Sequence, residues 1–363
     1  MKSGYIHIPF CDKICTYCDF CKMFSNERMI NKYLEALEEE INCRYLGEEL
    51  KTIYIGGGTP TCLTLEQLKR LFDILNVLKR SDDCSITIEG NFENTDYEKL
   101  VLFKEFGINR ISFGIESIDL DNLKFLGRSL DKDKVNYIIN SCRDIGIFDI
   151  NLDLMYALPG EDIDTLNKDL DYIFSLGVNH ISTYSLIIEE HTMLGINGIE
   201  NISEDLDYEM YEIICKRMKD NNYKHYEISN FCKEGFESKH NLVYWHNEEY
   251  YGFGLGASGY INNIRYNNTR SINNYIEGKY VLDYEELDNN LKIEYEIMLN
   301  LRLGSGINKN NFYNKYGVYI NEIYNYKDLV LNNLLIETDE NIFIPEDKWY
   351  ISNEIIIKFL EGV

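Results

Sequence analysis

From residue 5 to about residue 187, short apolar runs alternate with amphipathic stretches of helical period, and this alternation restricts the fold more than any other feature of the chain. Runs at 5–9, 52–55, 85–89, 110–114, 148–154 and 180–187 read as strands. Between them, 31–43, 65–78, 134–145 and 165–176 read as helices; Leu68, Leu71, Phe72 and Leu75 recur with the period of one buried face. Strands joined through crossover helices run parallel, with right-handed connections. Six βα units predict an α/β fold whose sheet rolls into a partial or complete barrel. In such a fold the chemistry belongs at the C-terminal ends of the strands, where the motifs below fall.

After about residue 190 the pattern changes. Residues 204–222 read as a helix, 223–260 as an irregular stretch rich in aromatic side chains, and 290–301 as a helix followed by short strands near 334–337 and 342–344. The expected organisation is a barrel over 1–200, an aromatic-rich extension over 201–284 and a small α+β module, winged-helix-like, over 285–363. A chain of 363 residues has length enough for one large domain and a smaller one.

Four of the ten cysteines lie between positions 11 and 21, on the loop after the first strand. The opening residues lack the apolar core of a signal peptide, and no run of 18 apolar residues occurs, so a cytoplasmic chain without a membrane span is expected. Clustered thiols in a reducing compartment read as metal ligands rather than disulfides. Cys11, Cys15 and Cys18 can wrap one iron–sulfur cubane and leave its fourth iron open. Zinc held by four cysteines usually uses two separated Cys-x-x-Cys pairs, and only one short loop is present here; purely structural thiols are the plain alternative. With 36 Lys+Arg against 61 Asp+Glu, the net charge of −25 disfavours a nucleic-acid partner.

Cys-x-x-x-Cys-x-x-Cys after a first strand resembles the radical S-adenosylmethionine superfamily. Tyr5-Ile6-His7-Ile8-Pro9-Phe10-Cys11 and Tyr17-Cys18-Asp19-Phe20 look like the group that holds oxygen-independent coproporphyrinogen III oxidases and HemW-type heme chaperones. The resemblance implies a partial (β/α)6 TIM-like barrel, a 4Fe-4S cluster on Cys11, Cys15 and Cys18, and S-adenosylmethionine at the open iron. Cys21 is an extra thiol. Gly56-Gly57-Gly58-Thr59-Pro60 resembles the family's GGGTP motif, which puts Gly57, Gly58 and Thr59 against the methionyl part of the cofactor. Tyr5 and Tyr17 match positions near it. Glu89, at the end of the third strand, can accept from the cofactor's amino group or ribose, although Gly90-Asn91-Phe92-Glu93 follows where the family often has Pro-Gly. Glu116 stands where the family usually has glutamine, so an amide donor is lost. Arg128 matches the family's arginine and can pair with Glu116 or a cofactor carboxylate. Asp153, on a buried strand, needs a partner that Arg128 or the cofactor would supply.

The segment His240-Asn241-Leu242-Val243-Tyr244-Trp245 lies in the aromatic stretch. On composition alone, a histidine beside tyrosine and tryptophan is more often part of a packed core. The resemblance points elsewhere: HNxxYW recurs in the HemW-type chaperones and is associated with heme binding. It makes His240 the natural iron ligand and Tyr244 and Trp245 its ring neighbours. Only ten residues precede Cys11, whereas the oxidases carry a longer leading segment. The resemblance therefore implies a chaperone that binds heme beside a cluster and S-adenosylmethionine and hands heme to respiratory-type or other hemoproteins, with an electron donor serving the cluster. Radical decarboxylation of coproporphyrinogen III, or another tetrapyrrole-directed radical reaction, is the alternative. Whether the chain is an enzyme, and whether it touches a membrane transiently, stays open at this point.

Overall fold

The computed structural model describes residues 2–362. Six strands run parallel in chain order: β1 (Ser3–Ile8), β2 (Leu50–Gly57), β3 (Arg80–Gly90), β4 (Arg110–Glu116), β5 (Asp149–Tyr156) and β6 (His180–Ser185). The crossovers carry α1 (Glu27–Arg44), α2 (Leu65–Leu75), α3 (Tyr97–Phe106), α4 (Leu120–Leu126) with α5 (Lys132–Asp144), and α6 (Ile163–Ser175). Each begins on a short polar residue that accepts from an otherwise orphaned backbone N–H: Asn26, Thr64, Asp96, Asp119, Asp131 and Asp162. Thr64 and Gln67 cap reciprocally. These local signals fix where the helices start; burial of their apolar faces holds them on the sheet.

The six-strand partial barrel agrees with the sequence expectation. Its two faces differ. Ile6, Ile8, Ile53, Ile55, Ile86, Ile88, Ile111, Phe113, Ile150, Leu152, Leu154 and Ile181 face the helices and are nearly all solvent-free. Each such side chain contributes about 1.5–3 kcal/mol of burial energy. The alternate positions carry polar groups. The register aligns Tyr5, Tyr54, Thr87, Arg110 and Asp149 in one row, Glu89, Ser112, Asn151 and His180 in the next, and Gly114, Asp153 and Ser182 beyond. A central parallel strand is ordinarily apolar on both faces. A polar inner face concentrates hydrogen-bonding capacity where loops converge.

The stretch 223–260, expected to be irregular, is ordered. After α7 (Glu204–Asp220), β7 (Lys224–Glu227) and β8 (Asn230–Cys232) form a hairpin that pairs antiparallel with β6. Then α8 (Lys239–Trp245) crosses to the opposite edge, where β9 (Tyr250–Phe253) runs parallel to β1. A meander of β10 (Ser258–Ile261), β11 (Ile264–Asn268) and β12 (Val281–Glu286) follows. The resulting sheet order is β12-β11-β10-β9-β1-β2-β3-β4-β5-β6-β8-β7. Strands of three or four residues show no readable period, because an existing sheet edge rather than their own alternation specifies them.

Residues beyond 288 form α9 (Asn289–Asn300), α10 (Lys309–Tyr316), a three-stranded sheet of very short strands, and α11 (Ser352–Glu361). The helix and both strand regions lie where the sequence predicts them. Trp349 packs edge-on against His225 at 4.2 Å and joins this module to β7. Among the described residues no helix is long and apolar enough to cross a membrane.

Candidate functional site

The cysteine loop leaves β1 and is pinned on several sides. The Thr16 hydroxyl donates to Phe125 O at 2.9 Å, and its N–H to Leu126 O at 3.2 Å. Leu194 N–H donates to Thr16 O. Lys22 donates to Cys18 O. His7, buried in β1, binds the Tyr5 hydroxyl through Nδ1 at 2.9 Å and Cys21 O through Nε2 at 2.7 Å. Burial lowers the His7 pKa to about 4, so this clamp is neutral at pH 7.

Cys11 is buried, Cys15 and Cys18 half-buried, and none is in a disulfide. Cys11 Sγ accepts from Thr59 at 3.5 Å; Arg128 reaches Cys15 Sγ at 3.8 Å. Burial pushes the Cys11 thiol up to about 11 and raises Cys15 as well, so iron charge is needed to hold both as thiolates. Among the described residues no three His, Cys, Asp or Glu side chains close on one point as a single metal ion requires. Three unpaired thiols on one short loop suit a cluster, whose iron corners are themselves separated.

The glycine triplet ends β2 directly beneath this loop. A Cβ at Gly56 would lie 2.6 Å from the Glu89 carboxylate, one at Gly57 2.4 Å from the His7 ring, and one at Gly58 2.7 Å from Phe10 O. Gly57 also has φ +110°, where side chains are strained. The motif therefore lets the strand end close on protein groups from three sides. Glu89 Oε2 accepts from Gly57 N at 2.9 Å, and Oε1 from the Tyr54 hydroxyl at 2.7 Å. Burial pushes Glu89 up to about 7, against the lowering effect of these two donors.

Glu116 sits at the bulged end of β4 with φ +54°, a left-handed conformation costing about 1–3 kcal/mol at a non-glycine residue. Its carboxylate pairs with Arg128 at 3.0 Å and accepts from Tyr17 at 3.1 Å. Arg128 also donates to Gly114 O at 3.0 Å. Burial raises the Glu116 pKa and the guanidinium opposes it. The expected Arg128 partner is thus Glu116. Asp153 instead accepts from Asn151 at 2.8 Å and Ser112 at 3.4 Å. The Asn151 carbonyl meets His180 Nδ1 at 2.6 Å, and His180 Nε2 meets the Tyr226 hydroxyl at 2.8 Å. Neither Glu89 nor Asp153 forms an ion pair among the described residues, although Arg110 acts on Asp153 from a distance; two buried carboxylates, Asp153 close enough to raise the pKa of Glu89, suit a cationic cofactor.

Beside the loop opens a cavity of about 360 Å³, lined by Tyr5, Phe20, Cys21, Tyr244, Tyr250 and Arg270 among others. Of the HNxxYW motif, only Tyr244 lines it. His240 is 1% exposed, with Nδ1 on Thr52 Oγ1 at 2.6 Å and Nε2 on the Tyr244 hydroxyl at 2.7 Å. The Trp245 indole N–H lies toward the buried Glu227 carboxylate without closing a well-formed hydrogen bond.

The structure brings Tyr5, Gly57, Gly58, Thr59, Glu89, Glu116, Arg128, Asp153, Tyr17 and the three cysteines to one end of the barrel. Sequence reasoning missed Thr52, Tyr54, His7, Asn151, His180 and Arg270. Five of them alternate with apolar residues on β1, β2, β5 and β6, and that period-two polar pattern is the signal that could have found them. Arg270, distant in sequence, left none.

Compared with known proteins, residues 5–173 match the Radical SAM superfamily. The chain is 40% identical to the heme chaperone HemW of Bacillus subtilis, with 99% of each chain covered. It is 36% identical to the heme chaperone HemW of Lactococcus lactis, covering 99% of this chain and 97% of the other. Among solved structures, coproporphyrinogen III oxidase (HemN) from Escherichia coli superposes with a TM-score of 0.88 over 100% of this chain and 90% of that one, at 19% identity. That last likeness is one of fold.

Proposed function

Because the chain belongs to the HemW family of heme chaperones, within the radical SAM superfamily, we propose that it binds heme beside an iron–sulfur cluster and S-adenosylmethionine and passes the heme to a hemoprotein. Cys11, Cys15 and Cys18 hold the cluster, with Arg128 and Thr59 touching two of the sulfurs. Gly57, Gly58 and Thr59 present backbone to the cofactor's methionyl end. Glu89 and Asp153 receive its positive charge, and Tyr5, Tyr17 and the Glu116–Arg128 pair wall the pocket. When bound, cluster and cofactor together supply one-electron cleavage chemistry at a C–S bond.

The observation that carries the heme reading is the aromatic cavity beside the cluster loop. Its volume falls within the usual range of small-molecule sites, about 300–1,000 Å³. Tyr5, Phe20, Tyr244 and Tyr250 give faces for a flat macrocycle, and Arg270 gives a cation for a propionate. The HNxxYW motif reaches this cavity through Tyr244, with His240 bonded behind it, whereas Trp245 turns toward Glu227. Recipients in this reading are respiratory-type hemoproteins, met in the cytoplasm or at a membrane contact, and a separate donor reduces the cluster.

The test is anaerobic cluster reconstitution followed by two parallel assays. Heme titration followed at the Soret band is expected to saturate near one heme per chain, and Arg270→Gln to weaken it. Coproporphyrinogen III is expected to remain unconverted. Formation of protoporphyrinogen would overturn the chaperone reading in favour of the oxidase.

A further inference from the structure

His240 lies between Tyr54, the donor to Glu89, and Tyr244, which lines the aromatic cavity. Its ring stacks on Tyr54, centroids 5.1 Å apart and planes 29° from parallel, while Nδ1 holds Thr52 two residues earlier on the same face of β2. Nε2 holds Tyr244, which faces the cavity. Tyr54 in turn donates to Glu89, and Glu89 lies against the glycine backbone at 56 and 57. An iron ligand must offer a free ring nitrogen, and both nitrogens of His240 are engaged in a site that is 1% exposed. Glu89, by contrast, is a carboxylate fixed by two donors and left without a cation among the described residues.

We propose that His240 is a positioning residue for the S-adenosylmethionine site, fixing the Tyr54–Glu89 pair that receives the cofactor's ammonium group, and is not the iron ligand of the bound heme. The inference rests on the reading that the cofactor binds at Glu89. Tyr54→Phe removes one donor to a charged acceptor, a loss of about tenfold in cofactor affinity. His240→Ala removes the ring that sets the Tyr54 rotamer and acts through the same carboxylate. The double variant is therefore no weaker than the weaker single, because the two substitutions break one chain of contacts. His240→Phe keeps an aromatic ring over Tyr54 and restores affinity to within about threefold.

The experiment measures S-adenosylmethionine binding by equilibrium dialysis on the cluster-loaded chain, together with the electron paramagnetic resonance spectrum of the reduced cluster with and without cofactor. Iron content per chain and heme affinity are followed in parallel. The expected result is weakened cofactor binding and a diminished cofactor-induced spectral change in His240→Ala and Tyr54→Phe, rescue in His240→Phe, and unchanged iron content. Heme binding persists in His240→Phe. Two results overturn the proposal: cofactor affinity unchanged in Tyr54→Phe and His240→Ala, or heme binding lost in His240→Phe while cofactor binding stays intact. A wild-type chain that holds its cluster but binds no S-adenosylmethionine removes the underlying reading and the proposal with it. His240→Phe and Tyr54→Phe preserve ring volume, so the test survives a folding failure of the alanine variant.

Discussion

Removing the Arg128 guanidinium leaves Glu116 buried with only the Tyr17 hydroxyl, and the cost of that isolation depends on pH. Arg128→Met keeps the volume of the stem and deletes the 3.0 Å ion pair. An uncompensated buried carboxylate costs about 3–5 kcal/mol. The carboxyl has an escape: it can take up a proton. Each pH unit above the unfolded value of 4.5 makes that uptake about 1.36 kcal/mol dearer. The destabilisation is therefore capped at about 3.4 kcal/mol at pH 7 and about 0.7 kcal/mol at pH 5. The sign follows from proton counts. In the variant the folded chain binds a proton that the unfolded chain releases near 4.5, so its stability falls as pH rises above that value. With an unfolding entropy of about 2.1 cal/mol/K per residue, the expected loss in Tm is at most about 4–5 °C at pH 7 and at most about 1 °C at pH 5. Scanning calorimetry of the apo protein under anaerobic, reducing conditions measures it. Glu116→Gln in the same background is expected to abolish the pH dependence. Equal losses at pH 5 and pH 7, or the same pH dependence without the carboxylate, would refute the reasoning.

Gly57→Ala combines a forbidden φ with a Cβ 2.4 Å from His7 and is expected to prevent accumulation of folded protein. Gly160→Ala, at φ +87° with open space around it, tests the backbone term alone and is expected to lower Tm by only about 1–2 °C. Cys18→Ser is expected to abolish reconstituted iron and labile sulfide, whereas Cys21→Ser retains both; comparable losses in the two variants would make Cys21 a ligand. Glu89, pushed up to about 7, is part-protonated in the free chain, and a cationic cofactor selects its ionised form. Cofactor affinity is therefore expected to rise between about pH 6 and pH 8, with proton release on binding detectable by titration calorimetry in buffers of different ionisation enthalpy. A pH-independent affinity without proton release would remove Glu89 as the receiving group.

The chain's own order of residues determined the six parallel strands, their helices and the position of the cysteine loop. Those features rest on local periods, on caps such as Thr64 and Asp96, and on glycines that no other residue could replace at a strand end. It also determined that the strand-end motifs gather at the barrel mouth, because a βα alternation puts every strand end on one side, but not that Thr52, Tyr54, His7, Asn151, His180 and Arg270 join them. It could not determine what each residue touches there. That Arg128 turns to Glu116 rather than to Asp153 is set by the left-handed bend at 116 and by the Asn151–His180 network that already satisfies Asp153. The role of His240 shows the same limit. Its motif is visible in the sequence, but Thr52 and Tyr54 lie nearly 190 residues earlier, and only the route of α8 across the sheet from β8 to β9 presses the ring onto them. Local chemistry named the site's parts; sheet register and chain crossing, which depend on contacts distant in sequence, decided how those parts are paired.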